Sequence, residues 1–210
     1  MKLFLDNDAA LKLAALDLLD EALEVLGATR EEVFILASAP FAILKGKKRP
    51  PEPVASRLDT FFGQVGRAGG PNADDLKALQ STPGIDAGEA ILFSLTAAEP
   101  GSILLTGDKR SLRALAGAEA HEVLRRSIAG RVICFEQILN RIVRHQGFGA
   151  VIGKLVAAIS WDKSLAAILG STPTSHSVDE GLASYIRSLR DETGALLAAD
   201  KVPRVAKHPR

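Results

Sequence analysis

The chain contains one cysteine, one tryptophan and one tyrosine, and aromatic residues make up only 5% of its 210 residues. A single cysteine excludes a disulfide within the chain, and the four histidines do not fall at the spacing of a Cys/His zinc site. Lys and Arg (26) nearly balance Asp and Glu (25), so overall charge does not favour binding to nucleic acid or to a membrane, although local patches are still allowed. No stretch approaches the roughly 18 uncharged apolar residues of a membrane-spanning helix, and the apolar start is too short for a signal peptide. We therefore expect a soluble, cytoplasmic protein with no membrane partner.

Short apolar runs alternate with helical patterns along residues 1–147. Strands are predicted at Leu3–Leu5, Ser102–Thr106 and Arg131–Glu136, and helices at Ala9–Leu26, Arg57–Phe62, Asn72–Leu79, Asp86–Glu99 and Lys109–Leu115. Between them, a capping pattern at Thr29–Glu32 favours a helix over Val33–Leu44, but Val33–Leu36 equally suits a strand. The alternation of strand and helix predicts an α/β domain with parallel strands and crossover helices.

The composition changes after residue 147. Two helical patterns, Ala150–Leu169 and Val178–Ala199, flank a polar loop and predict a helical extension over residues 148–200. Residues 201–210 are basic, contain two prolines and are expected to form an unfolded tail.

Acidic residues stand at matching places in the predicted α/β domain. Asp6 follows the first strand, Asp108 follows the strand that ends at Thr106, and Asp86 and Glu89 share one face at the start of the helix that precedes that strand. Ligands of open parallel sheets bind outside the carboxyl ends of the strands. All four carboxylates are therefore expected to converge at that edge.

Such a cluster needs a counter-charge. Two unit charges 4 Å apart repel by about 4 kcal/mol at an effective dielectric of 20. Mg²⁺ or Mn²⁺ prefers hard oxygen ligands, and a metal-bound water is a better nucleophile near neutral pH. Phosphodiester hydrolysis is the reaction class that this pattern indicates.

The segments LFLDND, IDAGEAILFSL and SILLTGDKRSL, taken together, resemble the PIN domain over roughly residues 2–140. The resemblance implies a three-layer α/β/α sandwich with a central parallel sheet and a Mg²⁺ or Mn²⁺ site. It also implies a metal-dependent endoribonuclease acting on RNA, of the kind common among the toxins of VapC-type toxin–antitoxin systems. Asp6, Glu89 and Asp108 match the catalytic and metal-binding positions, and Asp86 is a second candidate for the role of Glu89.

The sequence departs from the PIN pattern in two ways. PIN domains usually carry a further Glu in a middle helix, and here Glu31, Glu32, Glu52 and Asp59 compete for that place without convincing surroundings. Residues 148–210 have no counterpart in a minimal PIN domain. They could cover the sheet, form a homodimer face, or receive an antitoxin or another protein partner.

Each carboxylate also has a purely structural interpretation. Asp86 and Glu89 have the spacing of a capping box, and Asp108 stands where it would cap the helix that follows. Asp6 and Asp8 could cap the first helix in the same way.

Two other functions therefore stay open. One is a catalytically inactive PIN-like domain that binds RNA or protein. The other is a haloacid-dehalogenase-like phosphatase, suggested by the Asp6-x-Asp8 pattern and by Thr106, although Ala10 stands where that family usually has Thr and no late acidic pair follows RVICFE.

Basic clusters, such as Lys45–Arg49 and the group of Lys109, Arg110 and Arg113, would suit RNA phosphates. Any one of them is more simply a solvated face. The phenylalanines lie within apolar runs, so the sequence predicts no aromatic platform for base stacking.

Overall fold

The computed structural model describes residues 1–157 and 159–200. Within them, five parallel strands form one sheet in the order β3-β2-β1-β4-β5. Their bounds are β1 (Leu3–Leu5), β2 (Val33–Ile35), β3 (Gly66–Arg67), β4 (Ile103–Thr106) and β5 (Val132–Cys134). Leu5 pairs with Ile35 on one side and Leu105 on the other, so the strands end at one common edge.

Helices connect the strands and follow the last one. They are α1 (Asn7–Leu16), α2 (Leu19–Leu26), α3 (Ala39–Leu44), α4 (Val54–Phe62), α5 (Ala73–Gln80), α6 (Ala87–Ala98), α7 (Lys109–Gly117), α8 (Glu122–Ser127), α9 (Phe135–Gln146), α10 (Phe148–Ala157), α11 (Lys163–Leu169) and α12 (Ser175–Thr193). Short 3-10 helices lie at Arg30–Glu32, Glu119–His121, Ile159–Trp161 and Gly194–Leu196. The predicted α/β class with a central parallel sheet is confirmed.

Eight of the twelve described helices fall into two groups by their mutual contacts. One group contains α1, α2, α4, α9 and α10, and the other contains α5, α6 and α8. Because crossovers between parallel strands are right-handed, connections that run in opposite directions along the sheet place their helices on opposite faces. This arrangement is consistent with a three-layer fold, and it explains why Leu3, Phe4 and Leu5 are all buried.

The helical extension packs directly onto the α/β domain. Val151, Leu155 and Leu165 belong to the same hydrophobic core as the sheet, and α12 contacts both α7 and α9. Beyond α12, Leu197 forms a parallel bridge with Val132 of β5. The extension thus covers an edge strand whose backbone groups would otherwise be open to another chain.

The predicted helix Ala9–Leu26 is wrong as a single element. The chain breaks at Asp17, whose φ of 57° is left-handed, and α1 ends there with the Asp17 amide donating to the carbonyl of Ala14. The apolar periodicity continues across the break because α1 and α2 both bury their apolar faces in the core.

The segment over which two interpretations stayed open contains both elements. Val33–Ile35 is strand β2, and α3 begins at Ala39. At the other end of the sheet, the predicted strand Arg131–Glu136 is too long, because β5 ends at Cys134 and α9 begins at Phe135.

The extension also differs in detail from its prediction. Ala150–Leu169 is not one helix but α10, a 3-10 turn and α11, and Asp162 caps α11 by accepting from the Leu165 amide. α12 begins at Ser175 and ends at Thr193. The predicted basic tail, 201–210, lies outside the described residues. No described helix combines the length and the apolar character that crossing a bilayer requires.

Candidate metal centre

A cavity of about 430 Å³ lies at the carboxyl ends of the central strands. All four predicted carboxylates line it. The lining residues are Asp6, Asn7, Asp8, Leu36, Ser38, Asp86, Ala87, Gly88, Glu89 and Asp108. Among these described residues there is no Lys or Arg, so the cavity gathers negative charge without a basic side chain in its wall.

Asp6 directly follows β1, and its amide donates to the carbonyl of Leu105 on β4. Its Oδ2 atom accepts from the Thr106 hydroxyl (3.3 Å) and the Gly107 amide (3.4 Å). It makes no capping hydrogen bond to α1, so the capping interpretation of Asp6 is wrong. Burial, helped by the charge of Asp8, raises the pKa of Asp6 to about 6.

Position 107 has no room for a side chain while Asp8 keeps its observed conformation. A Cβ atom at this position would lie 2.1 Å from Oδ2 of Asp8. The absence of a side chain lets the turn after β4 approach the start of α1. The Thr106-Gly107-Asp108 turn therefore holds Asp6 through hydrogen bonds and brings Asp108 to the same cavity.

Asp108 caps α7, as one interpretation expected. Its Oδ1 atom accepts from the amides of Arg110 (2.8 Å) and Ser111 (3.1 Å). Its own amide donates to the Thr106 hydroxyl (3.1 Å). The cap uses one carboxylate oxygen and fixes the direction of the other, so capping and ligand roles are compatible.

Asp86 and Glu89 form the predicted capping box at the start of α6. The Glu89 amide donates to Asp86 Oδ1 (2.9 Å), and the Asp86 amide donates to Glu89 Oε2 (2.7 Å). Here too one oxygen of each side chain is used, and both residues line the cavity.

Glu89 and Asp108 share a hydrogen bond. Burial, and then this bond, raise the pKa of Glu89 to about 8. Burial opposes ionisation of Asp108, but the bond from Glu89 and the amides of α7 outweigh it and lower the pKa of Asp108. Without a cation, Glu89 is therefore the member of the pair that keeps the proton near neutral pH.

The sequence suggested that Asp8 caps α1 or forms part of the Asp6-x-Asp8 phosphatase pattern, and it did not reveal the partners of Asp8. Lys12 Nζ lies 2.6 Å from Asp8 Oδ2 and 2.6 Å from Oδ2 of Asp162, a residue of the helical extension. The i, i+4 spacing of Asp8 and Lys12 is a visible signal. In the sequence, Asp162 shows only as a charge inside an apolar stretch. Ser38, which also lines the cavity, gave no signal.

None of the four candidates for a middle acidic residue lines the cavity. Glu31 and Glu32 precede β2 and therefore lie at the amino edge of the sheet, where Glu32 pairs with the chain's N-terminal amine. Glu52 pairs with Arg49, and Asp59 lies on α4. The Glu expected from the PIN pattern has no equivalent among the described cavity residues.

The donor set suits a hard divalent cation, because it offers only oxygen atoms and the described wall of the cavity gathers several carboxylates without a Lys or Arg side chain. The side chains do not yet form a complete ligand set, since the described residues contain no group of three His, Cys, Asp or Glu placed to hold one ion. A cation bound here would take the place of the proton that Glu89 shares with Asp108.

A scan against protein-family models, a search of curated proteins and a search of solved structures each found no match to this chain.

Proposed function

We propose that this chain is a PIN-like endoribonuclease that hydrolyses RNA phosphodiester bonds with a carboxylate-held Mg²⁺ or Mn²⁺ ion. The observation that carries the proposal is that carboxylates from three distant segments line one cavity whose described wall contains no basic side chain. Asp6, Glu89 and Asp108 would hold the metal, with Asp86 assisting. When bound, the metal supplies an activated water and stabilises charge on the phosphate.

The chain's own residues orient these ligands before any metal arrives. Thr106 and Gly107 hold Asp6, the α7 amides hold Asp108, and the capping box holds Glu89. Ligands fixed by surrounding hydrogen bonds bind metals more tightly than free side chains do.

Basic charge stands beside the cavity but is less than the sequence indicated. Of the cluster of Lys109, Arg110 and Arg113, Lys109 pairs with Glu136 and Arg113 pairs with Glu192. Arg110 is exposed and lies 3.5 Å from Asp108 Oδ2. Arg110 is therefore the member of this cluster best placed to meet a substrate phosphate.

Cleavage of a labelled RNA in Mn²⁺ or Mg²⁺ tests the proposal. Asp6→Asn and Asp108→Asn should each abolish cleavage while circular dichroism shows an unchanged fold, because each removes a ligand charge and keeps the side-chain shape. Asp191→Asn, on the exposed last turns of α12, is the matched control and should cleave normally. Full activity of both cavity variants would overturn the mechanism.

A catalytically inactive PIN-like domain that binds RNA or protein is the second candidate. It is favoured by the absence of a middle Glu from the described cavity lining and by the incomplete ligand set. Calorimetric titration separates the two: no heat of binding at millimolar Mn²⁺ would favour the inactive domain.

The phosphatase interpretation has less support. It needs Asp8 as a second acid beside Asp6, and Asp8 is paired with Lys12.

A further inference from the structure

A second, larger depression of about 940 Å³ lies next to the acidic cavity. The segment from Leu36 to Phe41 forms a wall shared by both. Leu36 and Ser38 line the acidic cavity, whereas Ala37, Pro40 and Phe41 line the second depression, which we call the strand groove. A ligand lying in the strand groove would have its next segment beside the candidate metal centre.

Phe41 is the unusual feature of the strand groove. It lies on α3, and 69% of its surface is exposed to solvent. Phe61 and Phe62 on the neighbouring helix α4 are 2% exposed. The sequence predicted no aromatic platform because Phe41 stands in an apolar run. In the structure, α3 buries Ala39 and Ile43 and turns Phe41 outward, so this one phenylalanine of the apolar run is exposed.

Basic side chains line the same groove as Phe41 or follow it closely in the sequence. Lys45, Arg49 and Arg67 line the strand groove, and Lys47 and Lys48 are exposed in the turn between the first two. The acidic residues in the lining are Glu52, which is paired with Arg49 at 2.8 Å, and Asp59. The lining of the strand groove therefore carries a net positive charge, opposite in sign to the charge of the acidic cavity.

We propose that the strand groove binds a single-stranded segment of the RNA substrate. One base stacks on Phe41, and the phosphates that follow lie against Lys45, Lys47 and Lys48. The strand then passes Ser38 to reach the acidic cavity. This inference rests on the proposed nuclease function and adds to it a preference for single strands, because bases paired and stacked in a duplex have no free face for Phe41.

Binding without cleavage tests the stacking contact. Fluorescence anisotropy of a labelled single-stranded RNA of about ten nucleotides is measured in EDTA, so that no metal is present. Phe41→Ala should weaken binding about 5- to 150-fold, the effect expected from the loss of one stacked base. Phe41→Trp should keep or improve the affinity. Val123→Ala, which truncates a side chain that is 84% exposed on α8, should change nothing.

The salt dependence of the same binding tests the phosphate contacts. Lys47→Gln and Lys48→Gln should each reduce the slope of log affinity against log salt by about 0.7, the value for one phosphate contact with a single strand. Lys77→Gln, at an exposed position on α5, is the control and should leave the slope unchanged.

Three results would overturn the inference: Phe41→Ala binding as tightly as the wild type, a blunt RNA duplex binding as tightly as the single strand, or Phe41→Ala altering only self-association in sedimentation. The nuclease proposal fails separately. If Asp6→Asn and Asp108→Asn both leave cleavage intact while Phe41→Ala still weakens binding, the strand groove stands and the metal mechanism does not.

Discussion

Two groups of acidic side chains lie close together in this molecule, and they differ in their counter-charges. Asp6 and Glu89 in the first group, and Asp162 and Glu136 in the second, are buried. The acidic cavity contains Asp6, Asp86, Glu89 and Asp108. The second group, the paired cluster, consists of Lys12, Asp162, Lys109 and Glu136. In the paired cluster each lysine Nζ lies 2.6 Å from a carboxylate oxygen.

The two groups differ in the pKa values of their carboxyl side chains. Burial would raise the pKa of Asp162, but the bond from Lys12 and that from the Leu165 amide lower it overall. In the acidic cavity, burial raises the pKa of Asp6 and of Glu89. Asp6, Glu89 and Asp162 are similarly buried, but the carboxyl group beside a lysine stays ionised more easily, whereas the two in the acidic cavity hold a proton more tightly.

The paired cluster has a structural role that follows from its position. Lys12 on α1 binds Asp162, and Lys109 on α7 donates to Ser164 and lies 4.9 Å from the ring centroid of Tyr185. These contacts join the helical extension to α1 and α7, two of the three helices that begin at the acidic cavity. They also pair both lysines with carboxylates other than Asp6, Glu89 and Asp108.

The largest effect is expected from breaking the paired cluster. Lys12→Met leaves two carboxylates, Asp8 and Asp162, without their shared cation. Loss of one partner from a buried pair costs about 3–5 kcal/mol, and we expect the free energy of unfolding in urea to fall by about that amount.

Lys2→Met is the control for this prediction. It breaks an exposed pair with Glu99 and should cost at most about 1 kcal/mol. Equal losses from the two variants would show that the paired cluster contributes no more than a surface ion pair.

A substitution in the acidic cavity should have the opposite effect and increase the free energy of unfolding. In metal-free protein, Asp6→Asn removes a buried charge, so it should raise the free energy of unfolding at pH 8 by about 1–3 kcal/mol, given about 1.4 kcal/mol for each pKa unit. An acid whose pKa is raised on folding contributes stability below its ordinary pKa of 3.8 and loses it as the pH rises through about 6.

The comparison of Asp6→Asn with the wild type at low pH is the control for their comparison at pH 8. In urea titrations with EDTA, the variant and the wild type should agree near pH 4, separate between pH 4 and about pH 6, and keep a constant difference above that. A variant less stable than the wild type at pH 8 would show that Asp6 is compensated by groups other than a metal.

The parallel class of the sheet and the edge at which the carboxylates gather could be predicted from the sequence. Both depend on local patterns: short apolar runs form buried strands, and Asp6 and Asp108 follow such runs directly. The capping box of Asp86 and Glu89 is likewise a local signal, because its two residues are three positions apart.

The pairing of the lysines with the carboxylates of the paired cluster could not be predicted, since it depends on packing between distant segments. Lys12 and Asp162 are brought together only when the extension packs on α1. The exposure of Phe41 has the same origin, because an apolar run does not reveal which of its residues α3 turns to solvent. The break at Asp17 was hidden since the apolar periodicity continues through it.

A smaller effect is expected from a residue that only positions a ligand. Thr106→Val removes the hydroxyl that donates to Asp6 and accepts from the Asp108 amide. Loss of such a supporting contact weakens metal binding about 10- to 100-fold, which Mn²⁺ titration calorimetry measures directly. Thr106→Ser keeps the hydroxyl and should restore most of the affinity. If the Thr106→Val and Thr106→Ser variants bind Mn²⁺ with equal affinity, the Thr106 hydroxyl does not position the ligands.

The smallest effect is expected from Asp162→Asn, because Lys12 keeps Asp8 as a partner and the amide oxygen still caps α11. We expect a loss of about 1 kcal/mol at pH 6. The pKa of Asp162 is lowered on folding, so its contribution is present above its ordinary value of 3.8 and is lost as the pH falls through the folded value. The difference from the wild type in urea titrations should therefore shrink below pH 4, whereas the difference for Asp6→Asn grows between pH 4 and about pH 6. Two carboxylates near one edge of the sheet would then show opposite pH dependence, and profiles of the same sign would mean that lysine pairing does not distinguish the two groups.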